Sequence, residues 1–301
     1  MTYSKIYMAG SGGMLGEAFH AIFSGVADLK CTDKDVNADW LSFLDFRDRA
    51  AYRADVEAFA PDALFHLGAH TSLEYCELNQ DDAYQTNMLA VEDAVHIANR
   101  LDIPLLYIST AGIFDGAQET YDDWDMPNPL GAYARSKYMG ERYVVENAKR
   151  FLVCRAGWMM GAGPTKDKKF IQKLMQQIKD GATELKVVDD KLGTPTYTHD
   201  FARNVKLLLE AEAWGLYNMV CGGVTSRLEV ARYLVQALGK AETLPVTPVS
   251  SDYFKADYFA PRPPSERLLT KKLDLRGMNV MRDWRVCLDE YLAQYYQGYL
   301  D

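Results

Sequence analysis

The sequence predicts an α/β protein in which a doubly wound parallel sheet is joined to a smaller C-terminal lobe. Short apolar runs that favour strands alternate with longer amphipathic stretches that favour helices. The strand-like runs are almost continuously apolar, which is typical of strands buried on both faces of a parallel sheet. A glycine-rich turn joins the first run directly to the first amphipathic stretch. Together these observations indicate a layered β-α-β architecture.

The candidate elements alternate regularly over the first half of the chain. The strands predicted there are Lys5–Ala9, Leu29–Thr32, Ala63–Leu67, Leu105–Ser109 and Leu152–Arg155. Two later strands are predicted near Leu185–Val188 and Leu216–Val220. The predicted helices are Leu15–Phe23, Arg47–Phe59, Ala83–Arg100 and Tyr133–Lys149. Elements that alternate in this way are expected to form parallel β-α-β units.

The alternation loosens from Gly157 onward. Gly161–Pro164 and the basic run Lys166–Lys169 are typical of a mobile loop, and Pro245–Pro264 is rich in proline and aromatic residues, which favours irregular structure. We expect these segments to build a smaller lobe over the carboxyl edge of the sheet, where open α/β sheets bind ligands. The predicted division is a dinucleotide-binding domain of residues 1–156 plus roughly 185–212, and a substrate-binding lobe of roughly 157–184 and 213–301.

Charge and composition argue against several classes of protein. The 301 residues carry a net charge of −9, which argues against a nucleic-acid-binding or basic membrane-surface protein. The five cysteines are widely spaced without a Cys-x-x-Cys pair, which indicates reduced thiols. The N-terminal apolar run is too short for a signal peptide, and no stretch approaches 18 apolar residues. We therefore expect a cytoplasmic protein.

The glycine-rich turn has the pattern of a phosphate-binding turn. It comprises Gly10, Gly13 and Gly16, with Met14 and Leu15 opening the helix that follows. Glycines at these places allow a tight turn, a close approach of the backbone to a pyrophosphate, and close packing of helix on strand. The spacing is Gly-x-x-Gly-x-x-Gly, and the alternative is a turn without a ligand. The strand–turn–helix context favours a Rossmann-type dinucleotide site.

Asp33 lies at the end of the second predicted strand, 17 residues after Gly16. A carboxylate there can accept both ribose hydroxyls of an adenosine, and it would repel a 2′-phosphate. Lys34 follows at once and could soften that repulsion. A solvated loop charge is the alternative for Asp33. The choice between NADH and NADPH therefore stays open.

Three further residues are candidates for catalysis. Tyr133 and Lys137 lie one helical turn apart, so that an ammonium can favour the phenolate. Thr110 ends the fourth predicted strand, on the edge where ligands bind. A phenol and a hydroxyl that bracket one oxygen suit acid–base work on a ketone or an alcohol. The alternatives are a strand-terminating threonine, a core tyrosine and a surface lysine.

These motifs together resemble the extended short-chain dehydrogenase/reductases and, within them, the dTDP-4-dehydrorhamnose reductases. The resemblance covers essentially the whole chain. Beyond the glycine turn and Tyr133-x-x-x-Lys137, it rests on Pro61–His70, Ile108–Gly116, Cys154–Trp158, Val187–Thr198, Arg262-Pro263 and Asp283-Trp284.

The resemblance implies NAD(P)H-dependent reduction of the 4-keto group of a nucleotide-activated 6-deoxy sugar. Its implied catalytic residues are Thr110, Tyr133 and Lys137. Its implied cofactor-binding residues are Gly10, Gly13, Met14, Leu15, Gly16, Asp33, Asp45, Phe46, Gly68, Ala69, His70, Tyr133 and Lys137. Its implied substrate-binding residues are Thr110, Trp158 and Arg262.

The chain departs from the family pattern at two places. The family commonly has Ser-Thr-Asp-Tyr after the fourth strand, whereas this chain has Ser109-Thr-Ala-Gly112. The family's Arg-Pro-x-Asn-Ser is Arg262-Pro-Pro-Ser-Glu266 here. Ala111-Gly112 also lacks the Asp-Glu pair that related 4,6-dehydratases use, so elimination is not expected.

Other functions stay open at this point. One is a nucleotide-sugar epimerase with tightly held NAD. Another is a non-catalytic NAD(P)-binding regulatory subunit, like that of S-adenosylmethionine synthetase. The resemblance is compatible with a homodimer. Lys166, Lys168 and Lys169 could be a solvated face or could bind a nucleotide diphosphate. No metal site is expected, because the five histidines lack ligand spacing.

Overall fold

The computed structural model describes residues 3–300 and contains thirteen strands in that range. They are β1 (Lys5–Ala9), β2 (Asp28–Asp33), β3 (Leu41–Phe43), β4 (Ala63–His66), β5 (Leu105–Thr110), β6 (Phe151–Ala156), β7 (Trp158–Met160), β8 (Leu185–Val188), β9 (Leu192–Gly193), β10 (Pro195–Tyr197), β11 (Gly215–Asn218), β12 (Thr225–Ser226) and β13 (Val246–Val249). Seven of them form one parallel sheet in the order β11-β6-β5-β4-β1-β2-β3. The order reverses beside β1, which creates the crevice expected of a doubly wound sheet.

Twelve α-helices lie in the described part of the chain. They are α1 (Met14–Phe23), α2 (Arg49–Phe59), α3 (Leu73–Leu78), α4 (Gln80–Tyr84), α5 (Ala90–Leu101), α6 (Ala132–Asn147), α7 (Gly163–Lys166), α8 (Phe170–Lys179), α9 (Thr198–Glu210), α10 (Arg227–Ala237), α11 (Lys271–Leu275) and α12 (Trp284–Tyr295). A π-helical turn, Gln85–Leu89, joins α4 to α5. None of these helices is both long and apolar enough to cross a membrane.

Two apolar layers enclose the large sheet, as a doubly wound fold requires. On one face α1 and α9 pack on the sheet, where the rings of Phe19, Phe65 and Phe201 meet at centroid distances of 5.4 and 6.4 Å. On the other face Tyr52 of α2 and Val95 of α5 belong to a second buried cluster. The predicted fold class is therefore confirmed.

The predicted elements agree with the structure over the first 156 residues, except that strand β3 and the short helix α3 were not predicted. β3 has only three residues and lies at the sheet edge, and its Phe43 is 73% exposed, so its sequence lacks a buried apolar run. The predicted helix Ala83–Arg100 is divided between α4, the π-helical turn and α5.

Two later strands differ from the predicted domain boundaries. β8 pairs with β13 in a separate two-stranded sheet, although residues 185–212 were assigned to the dinucleotide-binding domain. β11 pairs with β6 in the large sheet, although residues 213–301 were assigned to the substrate-binding lobe. Short strands that pair with distant partners leave no local signal of the sheet to which they belong. The division of binding roles between the two units stays a prediction.

A buried ion pair between Glu141 and Arg155 connects helix α6 with strand β6. The Arg155 guanidinium lies 2.6 Å from a carboxylate oxygen of Glu141, and the two side chains are 4% and 2% exposed. Two further hydrogen bonds run between the same groups. A buried charge is tolerated only when its partner is present, so each residue depends on the other.

Glu141→Ala should destabilise the protein by about 3–5 kcal/mol, because it leaves the Arg155 guanidinium buried without a counter-charge. Urea unfolding at neutral pH measures this loss. Glu146→Ala is the matched control, since Glu146 lies on the same helix and makes an exposed ion pair with Arg142. That control should change stability little. Equal stabilities for the two variants would contradict the proposed role of the buried pair.

Candidate active site

A cavity of about 1290 Å³ opens at the carboxyl edge of the large sheet, beneath C-terminal segments. The ends of β1, β2, β4 and β5 reach it from the sheet side, and residues 251–266 close it from the other side. Every residue assigned to a site from the sequence lines this cavity: Gly10, Gly13, Met14, Leu15, Gly16, Asp33, Asp45, Phe46, Gly68, Ala69, His70, Thr110, Tyr133, Lys137, Trp158 and Arg262.

The glycine turn is shaped by close backbone packing. Gly10 has a φ of +75°, and a Cβ there would lie 2.2 Å from the Cα of Gly68. At Gly16, a Cβ would lie 2.0 Å from the backbone oxygen of Ser11. At Gly13, by contrast, a Cβ would meet nothing within 4 Å. Gly10 and Gly16 are thus required by the fold, whereas Gly13 leaves open space beside the cavity.

The N-terminus of α1 is available to an anion. Gly13 is its N-cap residue and supplies no side-chain hydrogen bond to the first turn. The N–H groups of that turn carry the positive end of the helix dipole and need an acceptor. This arrangement fits the pyrophosphate of a dinucleotide.

Asp33 braces the glycine turn as well as lining the cavity. Its carboxylate accepts hydrogen bonds from the backbone N–H groups of Gly12 at 2.8 Å and Asp35 at 2.9 Å. Neither hydrogen bond involves the Lys34 side chain, which also lines the cavity. The carboxylate is therefore held in a fixed place at the end of β2.

Asp45 and Phe46, two of the residues expected to bind the cofactor, are also held rigidly. Arg47 lies 2.6 Å from Asp45 and 3.0 Å from Asp82, and the Arg47 guanidinium lowers the pKa of Asp45 below its usual value. The Phe46 ring packs so closely on Gly68 that a Cβ at that glycine would lie 2.2 Å from it. His70 lies 2.7 Å from the Asp82 carboxylate, although burial lowers the pKa of the imidazole.

Lys137, the third catalytic candidate, is a buried lysine one helical turn after Tyr133. Its Nζ donates a 2.7 Å hydrogen bond to the backbone oxygen of Ile108 and lies 4.2 Å above the Tyr107 ring. Burial lowers the pKa of Lys137 to about 7, although Glu141 acts in the opposite direction. The structure thus excludes the alternative of a surface lysine.

Thr110 and Tyr133 meet above Gly112. A Cβ at Gly112 would lie 3.5 Å from the Thr110 hydroxyl and 3.8 Å from the Tyr133 ring. Burial raises the pKa of Tyr133 to about 12, while the neighbouring Thr110 side chain acts in the opposite direction. The expected lowering by Lys137 is not the dominant influence, because its amine is directed to the Ile108 carbonyl. At neutral pH the phenol therefore keeps its proton.

The part of the cavity around Trp158 and Arg262 contains residues that the sequence did not reveal. The Arg227 guanidinium stacks 3.7 Å from the Trp158 ring centroid, and the Trp158 indole N–H donates a 2.9 Å hydrogen bond to Glu266. Arg262 forms an ion pair with Glu74 at 2.7 Å. Arg227 belongs to no recognised motif, and Glu266 was visible only as a departure from the family pattern.

The cavity is rich in positive charge although the chain is acidic. Its lining contains twelve Lys and Arg residues and seven Asp and Glu residues. Lys166, Lys168 and Lys169 are among them, and Lys168 alone of the three is exposed. Lys169 donates a 3.0 Å hydrogen bond to the Thr71 hydroxyl, and burial lowers its pKa. Such a lining suits an anionic ligand.

Metal ligation has no support in residues 3–300, since that range contains no group of three or more His, Cys, Asp or Glu that could hold an ion.

Comparison with known proteins agrees with this geometry. The chain is 30% identical to the dTDP-4-dehydrorhamnose reductase of Mycobacterium tuberculosis, covering 96% of this chain and 92% of that protein. It is 27% identical to the spore coat polysaccharide biosynthesis protein SpsK of Bacillus subtilis, covering 97% and 98%. The crystal structure of dTDP-4-dehydrorhamnose reductase from Bacillus anthracis in complex with NADP matches with a TM-score of 0.88 at 25% identity, covering 97% and 99%.

The resemblance drawn from the motifs is thereby confirmed. The family model described as the RmlD substrate binding domain matches residues 4–297, which is nearly the whole chain. The chain belongs to the RmlD substrate binding domain family.

Proposed function

We propose that this protein is an oxidoreductase that reduces the 4-keto group of a nucleotide-activated 6-deoxy sugar with NADPH or NADH. The observation that carries the proposal is the meeting of Thr110 and Tyr133 above Gly112, with Lys137 buried one helical turn after Tyr133. Relatives named dTDP-4-dehydrorhamnose reductase and dTDP-4-keto-6-deoxy-D-glucose reductase support the substrate class. Those names also favour dTDP as the nucleotide.

The residues around the glycine turn fit a dinucleotide cofactor. The uncapped start of α1 would hold the pyrophosphate, Asp33 would face the adenosine ribose, and Phe46 would flank the adenine. Lys34 and Arg47 line the same end of the cavity, so a 2′-phosphate would also meet positive charge there. When bound, the reduced nicotinamide supplies the hydride that reduces the ketone.

Side chains of the protein donate the proton and orient the sugar carbonyl. The Tyr133 phenol, protonated at neutral pH, donates its proton to the sugar oxygen that becomes a hydroxyl. The Thr110 hydroxyl donates a hydrogen bond to the same oxygen and holds the carbonyl in place. Lys137, on the same helix face as Tyr133, would hold the cofactor ribose, and only its protonated form would favour the phenolate that remains.

The proposal also includes two expectations, one about the location of the protein in the cell and one about its partners. A sugar-nucleotide reductase that draws on the NAD(P)H pool belongs in the cytoplasm. A second copy of the chain is an acceptable partner, whereas the proposal needs neither a nucleic acid nor a membrane.

Tyr133→Phe should lower kcat by about 10²- to 10⁴-fold, because the ring is kept and the proton donor is lost. Cofactor affinity should change little. NADPH consumption with a dTDP-4-keto-6-deoxy sugar measures the first, and fluorescence titration with NADPH measures the second. The control is Tyr143→Phe on the same helix, whose hydroxyl contacts His96 outside the cavity. Undiminished turnover in Tyr133→Phe would refute the mechanism.

Lys137→Met should stabilise the cofactor-free protein at about pH 6, with an advantage that shrinks toward about pH 9. The pKa of Lys137 is about 7 when folded and ~10.4 when unfolded, so the unfolded chain binds more protons between these values. The free energy of unfolding of the wild-type protein therefore rises with pH in this window. The Met variant lacks this rise because it has no amine at position 137. Urea unfolding at several pH values measures the difference.

Lys149→Met serves as the control for the pH series, since that side chain is 61% exposed. Its stability difference from wild type should stay flat across the window. A flat difference for Lys137→Met as well would show that Lys137 is not buried as a neutralisable amine.

A further inference from the structure

Glu266 places a carboxyl group at the reacting end of the cavity. Its backbone N–H donates a 2.8 Å hydrogen bond to the backbone oxygen of Leu192, beside the bridge between Leu192 and Ser265. Its Oε2 accepts a 2.9 Å hydrogen bond from the Trp158 indole N–H. Backbone and side chain are both held, so the carboxyl group has a defined position.

The second oxygen of this carboxyl group faces the space above Gly112. A Cβ at Gly112 would lie 3.9 Å from Oε1 of Glu266, and the same point lies close to Thr110 and Tyr133. Oε1 accepts no hydrogen bond from any group within residues 3–300. It is an acceptor directed toward the place where the sugar must lie for Tyr133 to protonate it.

Because Gly112 has no side chain, the Glu266 carboxyl group is open to the space beside Thr110 and Tyr133. Any larger residue there would stand between the carboxyl group and the catalytic pair. The two departures from the family pattern, at 111–112 and at 265–266, are far apart in sequence but lie together in space. Gly112 stands where the family has a tyrosine, and Glu266 stands where the family has a serine. The space left by the absent tyrosine side chain is thus next to the longer, acidic side chain of Glu266.

The surroundings set the kind of group that Glu266 can recognise. Burial raises the pKa of the Glu266 carboxyl, whereas Arg227, Arg262 and Lys191 lower it. A carboxylate oxygen accepts hydrogen bonds, so Glu266 recognises a hydrogen-bond donor, whereas the cations around it suit a phosphate. A sugar hydroxyl is the donor that a nucleotide sugar offers at this depth.

We propose that Glu266 is a specificity-determining residue, which accepts a hydrogen bond from a sugar-ring hydroxyl near the reduced carbonyl in the space left by Gly112. The inference rests on the proposed function and adds a recognition element to it. A site built to bond a hydroxyl strongly disfavours an analogue that lacks it. Glu266 should therefore select hydroxylated sugars over deoxy analogues at that position.

The test compares the binding of dTDP-rhamnose and of dTDP by calorimetry, together with kcat/KM for a dTDP-4-keto-6-deoxy sugar. Glu266→Ala should weaken dTDP-rhamnose about 10- to 100-fold, as expected for losing a hydrogen bond to a charged group, and leave dTDP binding unchanged. Glu266→Gln keeps the shape and the bond to Trp158, so it should recover most of the loss. Glu119→Ala, at a 74% exposed glutamate outside the cavity, is the control.

Gly112→Ala gives a second route to the same result if Glu266→Ala fails to fold. Its Cβ would make only ordinary contacts of 3.5–3.9 Å, so the melting temperature should be preserved. It should weaken dTDP-rhamnose more than dTDP, because the methyl group takes the space beside Oε1.

Three outcomes separate the claims. Selective loss of sugar binding in Glu266→Ala and Gly112→Ala, with rescue by Gln, supports the inference. Unchanged dTDP-rhamnose binding and kcat/KM in both variants overturns it and leaves the proposed function standing. Failure of the wild-type protein to consume either NADPH or NADH with nucleotide-activated 4-keto-6-deoxy sugars overturns the proposed function, and the inference with it.

Discussion

The packing of helix α6 against strand β5 is the contact on which the candidate active site depends. A Cβ at Gly140 would lie 2.6 Å from the backbone oxygen of Asn87 and 2.8 Å from the Tyr107 hydroxyl, so the helix approaches as closely as a glycine allows. The Tyr107 hydroxyl donates to the backbone oxygen of Lys137, and the Lys137 amine donates to β5 in return. These bonds fix the register of helix and strand and thereby place Tyr133 beside the strand's last residue.

Burial and charge act together in this site. Although the protein is acidic, one cavity has a positive lining, with twelve Lys and Arg residues against seven Asp and Glu residues, and this lining suits an anionic ligand. Burial also sets the acid–base properties of the pair, since it keeps the Tyr133 phenol protonated and brings the pKa of Lys137 to about 7. The phenol can therefore act as a proton donor, and the lysine carries a charge that depends on its surroundings.

The sequence predicted those structural features that depend on local residue patterns. The glycine turn and the Tyr133–Lys137 spacing were predictable because a fixed backbone geometry needs those residue types, and strands β1, β2, β4, β5 and β6 are largely apolar runs. The edge strand β3 was missed because it is short and exposed. Glu266 stood out in the sequence only as a departure from the family pattern, because its approach to Gly112 depends on how two segments 154 residues apart meet. Contacts of this kind have no signature within either segment.

Transfer of deuterium from labelled cofactor tests the central claim most directly. The protein would be incubated with a dTDP-4-keto-6-deoxy sugar and NADPH fully deuterated at the transferring carbon of the nicotinamide. We expect one deuterium on C4 of the product sugar, seen by mass spectrometry and NMR, with one cofactor oxidised for each sugar reduced. An altered sugar formed without net oxidation of cofactor would contradict it and indicate an epimerase. The absence of any cofactor oxidation or sugar product would indicate a binding protein.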